Sequence, residues 1–180
     1  SEDSPLCALL AFSEKSDDAL IFDMEKCYEI LKNEFFYGNA VQSLTHVLAL
    51  FDEPAELKCE KTMQLFHAMK EAGRKYGTNY ELPTLGVLAM TQVPVKEIVQ
   101  EIIEIEEWLS KQKGFGLWSN VTQKQRLLYA GMLAQKDYIK VDAIQTTAIG
   151  SVMAMVLAQE ITLCAIVACS VAASSSSSGN

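Results

Sequence analysis

Histidine is nearly missing from this chain. Only His46 and His67 occur among 180 residues, and no H-x-x-x-H or H-E-x-x-H spacing is present. A zinc site needs three or four ligands, so the sequence carries no metal signature and no cofactor is expected. Paired cysteines are missing too. Cys7, Cys27, Cys59, Cys164 and Cys169 contain no C-x-x-C pair. An odd count without a framework reads as free thiols in a reducing compartment, which points to the cytoplasm. Cys7, Cys27, Cys164 and Cys169 lie in apolar helical patterns, where cysteine acts as a small hydrophobe. There is no basic excess: 15 Lys and Arg stand against 23 Asp and Glu, a net charge of −8. Phosphate backbones and anionic lipid heads call for a basic face, so neither nucleic acid nor a membrane surface is an expected partner.

Other absences narrow the reading further. No short run rich in β-branched residues is bounded by turn signals, so no sheet is expected. Neither G-x-x-x-x-G-K-[ST] nor G-x-S-x-G occurs. Gly73, Gly77 and the Gly114-Phe115-Gly116 segment read as helix stops. No basic and then apolar leader follows Ser1, so no signal peptide is expected, and the chain reads as the C-terminal piece of something longer.

What the chain does have is a returning motif. Ala8-Leu9-Leu10-Ala11-Phe12 comes back as Val47-Leu48-Ala49-Leu50-Phe51, as Val87-Leu88-Ala89-Met90, and loosely as Ala130-Gly131-Met132-Leu133-Ala134. The period, about 40 residues, falls in the range of helix-pair repeats. A second helical pattern follows each of the first three copies and ends near Leu31, Met69 and Leu109. The expected fold is all-α, a solenoid-like array of stacked antiparallel helix pairs ending in a long apolar helix. The expected domain is 1–173, with repeats at about 6–43, 44–84, 85–126 and 127–173, and a Ser-rich tail at 174–180 that should fray. Leu10, Leu50 and Leu88 are predicted at equivalent inward positions.

Helix limits follow from caps and periodicity. Asp3-Ser4-Pro5 starts a first helix that runs to about Ser13. Asp17-Asp18 opens a second, with Ile21, Met24, Cys27, Tyr28 and Leu31 inward. Val41, Leu44, Val47 and Leu48 share a face of the third. Asp52-Glu53-Pro54 starts the fourth, which ends at Gly73 or Gly77; the fifth covers about Leu82 to Thr91. Val93-Pro94 starts the sixth, with Ile98, Ile102, Ile105, Trp108 and Leu109 inward and Glu97, Glu101 and Glu104 outward. Thr122 to Ala134 forms the seventh. From Val141 to Ala173 the chain is apolar on nearly every side, broken by Gln159-Glu160. That break and the small residues around it favour a buried core or oligomer helix over a membrane span.

Several of these segments resemble a known family. Ser1-Glu2-Asp3 leading into Pro5-Leu6-Cys7-Ala8-Leu9-Leu10-Ala11 is similar to the mid-protein signature of an uncharacterised bacterial family, domain of unknown function 4003. The likeness continues through Gly38 to Leu50, Tyr80 to Ala89, Trp108 to Gly116, and the Ala-rich stretch after Ala158-Gln159. The resemblance implies the helical C-terminal half of such a protein. It implies no activity, and no catalytic residue can be carried over from it.

Chemistry is sparse. His46 is the strongest single candidate, with Gln42 one turn earlier on the same face and Asn39 near the start of that helix. The bland reading is a polar residue held within a helical interface. Glu101, Glu104 and Glu107 recur every third residue and read as a solvated face, with Glu97 and Glu106 beside them. Phe115 and Trp118 read as packing a loop against the body. Glu160, inside an apolar pattern, calls for a cation such as Arg126 or Lys124. The function expected is therefore non-enzymatic: a cytosolic scaffold or protein-interaction module that binds a protein partner or itself. The alternative is a metal-dependent or acid-base enzyme with a site around Asn39, Gln42 and His46.

Overall fold

A computed structural model of the chain describes residues 10, 13, 15–35, 38–76, 81–116 and 121–138, the side chains of the last three apart. The described secondary structure is helical: α1 (Asp17–Leu31), α2 (Gly38–Ala49), α3 (Ala55–Glu71), α4 (Leu82–Ala89), α5 (Val95–Ser110) and α6 (Gln123–Tyr138). No strand occurs among the described residues. The expected first helix, apart from Leu10 and Ser13, lies outside them. So do the apolar helix at 141–173 with Glu160, the tail at 174–180, and Trp118.

The helix ends follow from local chemistry. Ser16 caps α1 by accepting from the Ala19 N–H at 3.3 Å, and Asp17 and Asp18 add negative charge to the first turn. Pro54 and Pro94 stand at the N-caps of α3 and α5, where a missing N–H removes nothing the helix needs. The end of α3 is a Schellman turn. Gly73 adopts φ +72°, the Gly73 N–H donates to Lys70 at 3.0 Å, and the Arg74 N–H donates to Met69 at 2.9 Å. Thr122 and Gln125 form a capping box ahead of α6. The Thr122 N–H donates to Gln125 Oε1 at 2.9 Å, and the Gln125 N–H donates back to Thr122 Oγ1 at 3.2 Å.

The helices make two layers. α1, α3 and α5 pack side by side in that order, and α2, α4 and α6 do the same. α1 on α2, α3 on α4 and α5 on α6 join one layer to the other. Within a layer, neighbours run parallel. Lys26 in the second half of α1 pairs with Glu56 at the start of α3, while Glu34 just past α1 meets His67 late in α3. Glu81 just before α4 pairs with Lys124 at the start of α6, and Leu88 at the end of α4 lies beside Gly131 in the middle of α6.

The core lies between the layers. α4 is its centre, and all eight of its residues are buried. Gly86 lets Leu44 of α2 reach the α4 backbone, where a Cβ would overlap Leu44 Cδ1. Gly131 does the same for Tyr76, since a Cβ there would lie 3.1 Å from Tyr76 Cζ and closer still to the hydroxyl. Val41, Leu44, Val47 and Leu48 are buried together, as the α2 periodicity predicted.

Three inward assignments need correction. In α1 the buried stripe is Leu20, Cys27 and Leu31, and Ile21 is exposed. Leu20 and Leu31 are eleven residues apart, close to three full turns, whereas Ile21 sits about 100° round the helix. In α5 the stripe is Ile98, Ile102, Glu106 and Leu109, which leaves Trp108 exposed by the same geometry. Leu50 is half-buried in the turn after α2. The fully buried counterpart of Leu88 is Leu48, in the shared Leu-Ala pair.

Candidate functional site

Charged side chains concentrate at two junctions, each built where one helix meets the next. The first gathers around Asp23 of α1. Its carboxylate accepts from Lys58 Nζ of α3, and Lys15 Nζ lies 3.6 Å away. Both lysines also serve the C-terminal end of α2. Lys15 donates to the Ala49 carbonyl at 2.9 Å and to the Phe51 carbonyl at 2.6 Å, and Lys58 donates to Phe51 at 3.2 Å. Those carbonyls lack helical partners and carry the negative end of the α2 dipole, so two cations satisfy both needs. Lys58 is fully buried, which its paired carboxylate and carbonyl acceptor allow.

The second junction gathers around Glu106 of α5. Arg126 Nε of α6 donates to Glu106 Oε1 at 2.9 Å, and Arg74 Nε, just past α3, lies 3.6 Å from Glu106 Oε2. Arg126 Nη1 also donates to the Phe115 and Val121 carbonyls, each at 3.2 Å, and so fixes the loop between α5 and α6. Phe115 packs edge-on against Tyr129 in that loop, with centroids 6.0 Å apart, as its packing role predicted. The acidic repeat of α5 puts Glu106 beside a solvated face, but its side chain is buried. The available signal was its position four residues after Ile102 and eight after Ile98. Glu97, Glu104 and Glu107 are exposed, while Glu101 is half-buried. Arg126 and Lys124, the cations considered for Glu160, pair with Glu106 and Glu81 among the described residues.

The three residues singled out from the sequence share α2. Asn39 and Gln42 are exposed, and His46 is half-buried in the last turn. Among the described residues, no group of three or more His, Cys, Asp or Glu side chains could hold a metal ion. His67, the other histidine, lies 3.2 Å from Glu34 and edge-on to Phe66. It joins Glu60, Met63, Gln64, Ala68 and Glu71 along an open groove on α3.

Two further features went unread in the sequence. Cys27 of α1 and Cys59 of α3 are both fully buried and face one another, with Cys59 Sγ 3.8 Å from the Cys27 carbonyl oxygen. The hydrogen bond between the two thiols, with the Lys58 charge nearby, holds Cys27 below the usual thiol range. The same bond and burial push Cys59 up. Tyr76 is buried too, and desolvation, then the Glu81 charge, raise its phenol well above the ordinary value.

Over the described residues, these helices and junctions define an all-helical fold of two packed layers with ion-paired helix ends. The chain belongs to the family described as protein of unknown function DUF4003, whose model matches residues 1–161. No curated protein and no solved structure matches it. Among the described residues, no helix is long and apolar enough to cross a membrane.

Proposed function

We propose that this chain is a helix-pair repeat scaffold that binds protein, with no catalytic role. The expected repeat at about 44–84 takes in the second half of α2 and all of α3, that at 85–126 most of α4 and all of α5, and parallel neighbours within a layer support a stack of such pairs. The observation that carries the reading is where large apolar side chains remain exposed. Ile21 and Phe22 of α1, Leu57 of α3 and Trp108 of α5 lie on one layer, and only Leu133 of α6 is exposed on the other among the described residues. Aromatic anchors on a rigid helical face are typical contact points for a protein partner or a second copy. The charged junctions support the same reading, because their side chains tie helix ends to neighbouring helices.

Sedimentation and affinity capture from cytosol test this, using the unaltered protein and a Phe22→Ser, Trp108→Ser variant. The expected result is a defined stoichiometric complex, either with itself or with a captured protein. The double variant should lose that complex while keeping its melting temperature. A complex unaffected by the substitutions would reject this face, and turnover depending on His46 would reject the scaffold.

A further inference from the structure

We propose that Cys27 and Cys59 are a redox-active pair that a low-molecular-weight disulfide, such as oxidised glutathione, converts to an intramolecular disulfide joining α1 to α3. The fold brings the two cysteines together before any bond forms. The two cysteines lie across from one another on parallel helices, both are fully buried, and Cys59 Sγ reaches 3.8 Å from the Cys27 carbonyl oxygen. The bond, once formed, is about 2.05 Å long. Neither thiol is at the surface, so the oxidant enters when α1 opens. That helix buries only Leu20, Cys27 and Leu31 of its 15 residues, and such a segment opens at a free energy below that of global unfolding.

The exchange runs in two displacements. Cys27, the more acidic thiol of the pair, gives up its proton. Its thiolate attacks one sulfur of the oxidant, the oxidant's S–S bond breaks, and the released thiolate takes up that proton. Cys59 then loses its proton and attacks Cys27 Sγ. The mixed disulfide breaks and the second small thiolate leaves, taking the Cys59 proton. Two electrons pass from the protein to the oxidant, which becomes two thiols, and the protein keeps one S–S bond. The bond closes a loop from residue 27 to residue 59, which constrains the unfolded chain.

The test is incubation of the folded protein with oxidised glutathione, followed by intact mass measurement and non-reducing peptide mapping. The expected product is about 2 Da lighter, with one crosslink between the Cys27 and Cys59 peptides, and its melting temperature is higher by about 5 °C or more. Reduction should reverse both changes. Cys27→Ser and Cys59→Ser should each abolish the crosslink. A Cys7→Ser, Cys164→Ser, Cys169→Ser variant should retain it, and mapping of the unaltered protein gives the answer if that variant fails to fold. No crosslink, a persistent mixed disulfide with glutathione, or crosslinks through other cysteines would overturn the proposal.

Discussion

Asp23 and Glu106 do similar work at opposite ends of one layer, with different cations. Each is a single carboxylate between two positive side chains, and each joins α3 to a neighbour, Asp23 near the start of α3 and Glu106 near its end. Asp23 is held by lysines, whose ammonium groups also cap the carbonyl end of α2. Glu106 is held by arginines, one of which forks between the carboxylate and two loop carbonyls. A lysine supplies a compact point charge with three donors, which suits a cluster of carbonyls at a helix end. An arginine supplies a planar fork, which suits bridging two chain segments. The burial differs as well. Lys58 is fully enclosed, whereas Arg74 and Arg126 keep some contact with solvent. The lysine junction should therefore be the less tolerant of losing its anion.

That difference gives the largest expected effect. Asp23→Ala leaves an enclosed ammonium without its carboxylate and should destabilise the protein by about 3–5 kcal/mol. Glu106→Ala leaves two guanidinium groups that water can reach, so the loss should be about 1.5–3 kcal/mol. Urea unfolding of both variants measures the gap, and a Glu106→Ala loss equal to or above that of Asp23→Ala would break the comparison. Replacing both partners by apolar residues, Asp23→Leu with Lys58→Met, should recover most of the stability.

The next effect compares the two places where helices touch through glycine. Gly131→Ala drives a methyl group into the Tyr76 ring, which is rigid and fully buried, and should cost about 1–3 kcal/mol. Gly86→Ala meets the end of the Leu44 side chain, which can rotate away in part, so its loss should be smaller. Melting temperatures of the two variants order them. A larger loss at Gly86 would mean that the α2–α4 contact is the stiffer one.

Much of this fold was legible in the sequence, because helix caps and apolar periodicity act locally. Asp17-Asp18, Pro54, Pro94 and Gly73 mark ends that the structure keeps. What failed was the choice of face within a helix. Trp108 and Ile21 are strongly apolar and fall next to the buried stripe, so composition favoured them. Packing follows the turn geometry instead, and it takes Glu106 inward with a partner. Partners such as Arg126 for Glu106 or Lys58 for Asp23 are 20 and 35 residues away in sequence, and no local pattern announces them. The Cys27–Cys59 pair escaped notice for the same reason: alone, Cys27 reads as a small hydrophobe and Cys59 as a free thiol.

Alkaline pH separates the enclosed half of the molecule from its surface. The folded state holds the Tyr76 phenol well above the ordinary phenol value of 10.0 through burial and the Glu81 charge. A group with a raised folded pKa contributes its full stability below the unfolded pKa and loses it as pH rises above that point. Stability should thus be level through neutrality and fall from about pH 10, by about 1.4 kcal/mol near pH 11 from this one group. Tyr76→Phe should flatten that decline. Ultraviolet phenolate absorbance should show at least one of the six tyrosines ionising only with unfolding. Ionisation of every tyrosine before unfolding would show that Tyr76 is not enclosed.

The smallest effect is expected on the outer face, where the contrast with the junctions is sharpest. Trp108 and Phe22 are 57% and 66% exposed, so folding gives them little burial to lose. Trp108→Ser and Phe22→Ser should each change unfolding free energy by no more than about 0.5 kcal/mol. A large apolar side chain that contributes almost nothing to stability leaves the fold free to vary it, and its energetic role must then come from a contact the isolated chain does not make. Urea unfolding of the two variants decides this. A loss above about 1 kcal/mol in either would mean that the side chain is packed within the folded chain, and the outer face of the α1–α3–α5 layer would lose its claim as the binding surface.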